Sequence, residues 1–189
     1  MKKRVFIIHR WSGGAEDDWR PWLKNELLKL DYEVIVPQMP DTEVPVIEKW
    51  VNYLVELVGE FDEQTYFIGH SIGCQAILHF LEKINKPIGG AIFVSGWFDL
   101  ANLEDEETEE IAAPWIKTPL DILKVKNLIP KSVLIISDND PFNCFEINKA
   151  KFTELGSEVV ILKEAGHITQ DDGFKELPVV LEKFKEMSI

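Results

Sequence analysis

The chain has 189 residues, 46% of them hydrophobic and 28% charged, with a formal net charge of −13; that is the composition of one globular domain with a sizeable core. The charge argues against nucleic acid, whose phosphates would be repelled, and disfavours anionic membrane surfaces and polyanionic substrates. No apolar run approaches a membrane span. The apolar stretch Val5-Phe6-Ile7-Ile8 after Met1-Lys2-Lys3-Arg4 is too short for the core of a signal peptide. Cys74 and Cys144 have neither metal-type nor redox-type spacing, so a single domain over residues 1–189 in a reducing cytoplasm is expected.

Arg4 to His9 reads as a first strand, continuously apolar and so buried on both faces. Ser12-Gly13-Gly14 opens a loop. Trp19 to Lys29 has helical spacing of Trp19, Trp22, Leu23, Leu27 and Leu30. A second strand, Glu33 to Val36, stops at Pro37. Val44 to Val58 is predicted helical, with the stripe Ile47, Trp50, Val51, Leu54 and Val58 and a cap at Gly59. Thr65 to Gly69 is a third strand and Ser71 to Ile84 its helix. Ala91 to Ser95 and Ser132 to Ile136 are strands four and five. Phe145 to Leu155 is a helix ended by Gly156, and Glu158 to Leu162 is the sixth strand. A terminal helix lies within Phe174 to Met187, with Pro178 suited to its first turn.

Strand and helix alternate throughout. The predicted fold is therefore α/β: a doubly wound, six-stranded, mostly parallel sheet with helices on both faces. The stretch 96–130 breaks the rhythm. It carries the acidic run Leu103-Glu104-Asp105-Glu106-Glu107-Thr108-Glu109-Glu110 and then Pro114-Trp115. It follows the C-terminal end of a strand, the edge where ligands bind in open sheets. A small flap over the site and a solvated acidic loop are both compatible with it.

The motif that carries chemistry is Gly69-His70-Ser71-Ile72-Gly73, placed between a strand and a helix. A G-x-S-x-G in that setting is a nucleophile elbow. The turn is tight enough to demand small flanking residues, and it presents Ser71 Oγ at the helix N-terminus. A serine hydroxyl needs a neighbouring base. Of His9, His70, His79 and His167, only His167 follows the serine on a loop at the same sheet edge, which is the chain order of elbow enzymes. The acid that orients the imidazole should follow a strand between the two. Asp138 and Asp140, in Ser137-Asp138-Asn139-Asp140-Pro141-Phe142, and Asp99 all qualify. The oxyanion donors expected are the backbone N–H groups of Ile72 and of Trp11, in the loop after the first strand. Arg10, Trp97 and Phe142 are candidates for the pocket wall.

With these residues in place the chain resembles the compact α/β-hydrolases, and more narrowly the small serine hydrolases grouped with retinoblastoma-binding protein 9. The markers are Trp22-Leu23-Lys24, Met39-Pro40, Trp50, the elbow, Val94-Ser95-Gly96, Asp140-Pro141-Phe142 and Gly166-His167. The resemblance implies a triad of Ser71, Asp140 and His167, and no substantial lid domain. It also implies no metal or organic cofactor, and hydrolysis of small esters or amides. One departure is Arg10, where such hydrolases often carry glycine: it either shapes the pocket or pairs with a surface acid. The alternative is a protein-binding module that keeps the fold without the reaction, its partner unspecified. No L-x-C-x-E string is present, and Phe142-Asn143-Cys144-Phe145-Glu146 lacks the leucine.

Overall fold

The computed structural model describes residues 3–103 and 105–189. Met1, Lys2 and Glu104, which belong to the basic N-terminal run and to the acidic run, lie outside them. The strands are β1 (Arg4–Ile8), β2 (Glu33–Ile35), β3 (Thr65–His70), β4 (Gly90–Val94), β5 (Ser132–Ser137) and β6 (Glu158–Leu162). The helices are α1 (Arg20–Lys29), α2 (Ile47–Val58), α3 (Ile72–Lys83), α4 (Glu106–Lys117), α5 (Ile122–Leu128), α6 (Phe145–Leu155) and α7 (Pro178–Met187). The strands form one sheet in the order β2-β1-β3-β4-β5-β6, and every strand pair in it is parallel.

Two cores follow from the period-2 alternation of side chains along each strand. Phe6, Ile8, Phe67, Phe93, Leu134 and Ile136 face the layer of α2, α3 and α6, where Trp50, Leu54, Phe80 and Phe152 close over them. Val5, Ile7, Ile68, Ile92, Val94, Val133 and Ile135 face α1 and α7, packing on Trp19, Leu23, Leu27, Val180 and Phe184. Both faces are thus covered, which is why the central strands read as unbroken apolar runs rather than as alternating ones.

Chain order reverses at β1. The chain steps outward from β1 to β2, then returns to the other side of β1 as β3. The loops after β1 and β3 therefore diverge and leave a crevice at the C-terminal edge, the usual ligand position in open α/β sheets.

Two expectations are corrected and one is met. The second helix begins at Ile47, not Val44: Pro45 biases Val44 away from helical backbone and leaves Val46 extended as the N-cap. The terminal helix spans Pro178–Met187, with Pro178 in its first turn. The 96–130 stretch is not a solvated loop: it folds into α4 and α5, and α4 lines the crevice beside Ser71 with Glu107, Thr108 and Ile111. Asp105 caps α4 by accepting from the Thr108 N–H at 2.8 Å, and Glu106, Glu107 and Glu109 fill its first turn, where negative charge complements the helix dipole. Buried Ala112 and Trp115 hold α4 down, with Trp115 Nε1 donating to Pro45 O at 2.9 Å. Pro114 lies inside the helix.

Among the described residues no helix is long and apolar enough to cross a membrane.

Candidate active site

Ser71 sits at the turn from β3 into α3 with φ +53° and ψ −122°. Such backbone costs on the order of 1–3 kcal/mol for a residue other than glycine and persists only where surrounding contacts enforce it. The contacts here are unusually close. A Cβ added to Gly69 would lie 2.8 Å from Cys74 N, and one on Gly73 would lie 2.5 Å from Ile8 O. Glycine is needed at both positions for this approach, since neither has a positive φ.

The rim of the crevice is a cavity of about 740 Å³ whose lining includes Arg10, Trp11, Ser71, Ile72, Trp97, Phe142 and His167. Asp140 lies behind His167: its side chain is fully buried, and Oδ2 accepts from His167 Nδ1 at 2.8 Å. Its Oδ1 accepts from the Phe142 N–H at 3.1 Å, so both oxygens are held. The Phe142 ring stands edge-on to His167, centroids 5.4 Å apart. With Nδ1 turned to the carboxylate, Nε2 is the ring nitrogen left for a proton from the cavity. The Trp97 Nε1–H points at Ser71 Oγ, 3.4 Å away. Among the described residues Ser71 Oγ makes no hydrogen bond to the His167 ring; catalytic pairs commonly close that gap only on substrate binding.

The three acids open in the sequence are separated by their surroundings. Asp138 is at the surface, paired with Lys163 Nζ at 2.7 Å and accepting from the Glu164 N–H. Asp99 accepts from the Leu100 N–H and belongs to a loop gripped by buried Asn148. Asp140 alone of the three meets His167.

The loop after β1 is built around a peptide plane. Arg10 O accepts from His9 Nδ1 at 2.7 Å and from the Gly13 N–H at 3.2 Å. His9 Nε2 accepts from the Met39 N–H at 2.9 Å, so that nitrogen carries no proton. Burial lowers the His9 pKa to about 4, keeping this tautomer neutral. Fixing Arg10 O fixes the other side of the same trans peptide, the Trp11 N–H. That N–H and the Ile72 N–H donate to no protein acceptor among the described residues. Arg10 pairs with a buried acid rather than a surface one: its Nε lies 3.0 Å from Asp18 Oδ2, and the Asp18 side chain is fully inaccessible.

Asp18 and Arg20 escaped the sequence reading, as did the contacts of His70 and Ser95 with the His167 loop. His70 is buried, and its Nε2 contacts His167 O at 2.9 Å, while Ser95 Oγ donates to the same oxygen at 3.1 Å. Arg20 carried a signal: it lies on the apolar stripe of α1 with Leu23 and Leu27, and a cation on a buried stripe requires a buried partner. Cys74 is buried with its thiol pKa pushed up by burial, so it packs and does not react. Among the described residues no group of three or more His, Cys, Asp or Glu is arranged to hold a metal ion.

A strand-turn-helix serine at the switch point of a doubly wound parallel sheet defines the class of α/β hydrolases. The model of the serine hydrolase family matches residues 5–186 of the chain, and the chain belongs to that family. YdeN of Bacillus subtilis (strain 168) is 30% identical over 182 residues, covering 95% of this chain and 93% of that protein. The crystal structure of the ydeN gene product superposes with a TM-score of 0.90 at 28% identity, covering 98% of each chain. The rat serine hydrolase RBBP9 is 26% identical over 177 residues, covering 92% of this chain and 91% of that protein. The resemblance expected from the sequence is thus met.

Proposed function

We propose that this hydrolase cleaves small esters or amides through an acyl-enzyme on Ser71, in the manner of a carboxylesterase. The observation that carries the proposal is the His167–Asp140 hydrogen bond of 2.8 Å in a cavity that also exposes Ser71. His167 Nε2 takes the Ser71 proton as Oγ attacks the carbonyl carbon. Asp140 holds the Nδ1–H tautomer and stabilises the imidazolium. The N–H groups of Ile72 and Trp11 receive the oxyanion; losing one such donor typically costs ~2.7–4 kcal/mol of transition-state stabilisation. His167 then protonates the leaving alcohol or amine, and water, deprotonated by the same ring, releases the acid. Trp97, Phe142 and the stem of Arg10 wall the acyl site. The unpaired thiols of Cys74 and Cys144 suit a reducing, cytoplasmic setting.

Fluorophosphonate labelling tests the proposal. Peptide mass spectrometry should place the adduct on Ser71, and Ser71→Ala should abolish both labelling and turnover of p-nitrophenyl butyrate. Labelling that persists in Ser71→Ala ends the proposal.

A further inference from the structure

Three consecutive residues at the start of α1 reach the loop that carries His167, Arg20 doing so through His70. Asp18 Oδ1 accepts from the Gln170 N–H at 3.0 Å. Trp19 Nε1 donates to Ile168 O at 3.2 Å. Arg20 Nη1 lies 3.3 Å from His70 Nδ1, and His70 Nε2 lies 2.9 Å from His167 O. The tautomer follows from the partners. A guanidinium only donates, so His70 Nδ1 accepts and the ring proton resides on Nε2, aimed at the His167 carbonyl. Burial lowers the His70 pKa to about 4, which agrees with a neutral ring at neutral pH.

The segment so gripped is strained. Ile168 has φ +60° and is fully buried. A β-branched residue is a rare occupant of that region, and such backbone persists only where its surroundings over-determine it. The bonds from Trp19 and His70 on either side of the Ile168 N–H supply that constraint. The same Asp18 carboxylate also binds Arg10 Nε at 3.0 Å, next to the peptide that aims the Trp11 N–H. One buried anion thereby joins the loop after β1 to the loop after β6.

We infer that the bracket Asp18-Trp19-Arg20, acting through His70, is a positioning unit that sets the His167 imidazole against Ser71. None of these side chains touches the reacting atoms. This inference rests on the hydrolase reading above. A role in packing alone would lower the melting temperature and leave kcat of the folded enzyme alone. A positioning role lowers kcat, because displacement of a catalytic group by about 1 Å can cost about 10²-fold.

The test compares wild type, His70→Phe, His70→Gln and Trp19→Phe. His70→Phe keeps an aromatic ring and removes both ring nitrogens. Its kcat on p-nitrophenyl butyrate should fall about 10²-fold with KM within about twofold. The downfield proton resonance of His167 Nδ1–H should shift or broaden. In His70→Gln the amide nitrogen reaches the place of Nε2, so most of kcat and the resonance should return. Trp19→Phe, which loses only the bond to Ile168 O, should lower kcat about fivefold and decides the matter if His70→Phe does not fold. Wild-type kcat in folded His70→Phe or Trp19→Phe, or equal losses in folded His70→Phe and His70→Gln, overturns the inference while the hydrolase reading stands. Failure of the wild type to take up fluorophosphonate overturns that reading and the inference with it.

Discussion

Gly73 and the carbonyl of Ile8 are packed so tightly that a single added methyl would stand 2.5 Å from the oxygen. The first turn of α3 is therefore seated directly on the end of β1, and the Ser71 turn and the loop after β1 share one wall. Backbone cannot yield as a flexible side chain can. Gly73→Ala should destabilise the fold by about 1–3 kcal/mol, the usual cost of overpacking, and should also lower kcat by displacing the Trp11 peptide. Urea denaturation with the midpoint compared at constant slope checks the first effect, and ester turnover the second.

The choice between neighbouring carboxylates is open to a clean comparison. Asp140→Asn keeps the shape but offers Nδ1 an amide, favouring the wrong tautomer of His167. It should lower kcat by about 10⁴-fold with little change in KM. Asp138→Asn removes an exposed, solvent-screened pairing with Lys163 and should leave turnover within about twofold. Equal activity of the two variants would remove Asp140 from the mechanism.

Charge at the mouth should select substrates. Glu43, Asp105, Glu107, Asp171 and Asp172 line the cavity from three separate segments. Among the described residues Arg10 is the one lysine or arginine on that lining, and it is bound to Asp18. Among the described residues none of these five carboxylates is in an ion pair. A hemisuccinate ester should therefore show a lower kcat/KM than the isosteric neutral ester. Raising salt from 20 to 500 mM, arbitrary but well-separated screening conditions, should narrow the gap as the Debye length shrinks from roughly 20 Å to about 4 Å. A gap that does not respond to salt would show that shape, not charge, is responsible.

Acid should loosen the protein before its carboxylates titrate. His9 and His70 each fall from 6.5 to about 4 on folding, because burial penalises the charged ring. Arg20 adds repulsion at both rings. Asp17 near His9, and Asp18 near His70, oppose the shift without cancelling it. Between pH 6.5 and about 4 the unfolded chain binds the extra protons, so stability falls as pH falls through that window and is flat above it, by about 1.4 kcal/mol per pH unit for each histidine. Below about pH 4, protonation of Asp18 in the unfolded chain, while the folded carboxylate stays charged, adds to the decline. Burial opposes that ionisation, but the His70 and Gln170 contacts and the Arg20 charge outweigh it and hold Asp18 well below the usual carboxylate range. Thermal melts of wild type and His9→Gln across this range give the measurement. A melting temperature constant from pH 7 to pH 4 would contradict it.

Much of this was legible because it is local. The strands announce themselves as apolar runs, the helices by their stripes, and the elbow by two glycines spaced for one turn. Where local signals conflicted, the reading slipped. Pro114 and the acidic run concealed α4, whose stability comes from Trp115 reaching Pro45 across the chain. Pro45 in turn moves the start of α2 from Val44 to Ile47, the first residue of its apolar stripe.

The sequence by itself determined the alternation of strand and helix, and with it a covered parallel sheet, the identity of the candidate nucleophile, and the chain order of its partners. Only the tertiary structure decided which aspartate meets His167, which acid Arg10 pairs with in the loop after β1, and that Asp18, Arg20 and His70 lie beneath the histidine loop. The division is physical. Periodicity and turn chemistry act between residues a few positions apart, whereas the contacts from Arg20 to His70 and from Asp18 to Gln170 join residues 50 and 152 positions apart, which become neighbours only once the sheet has formed.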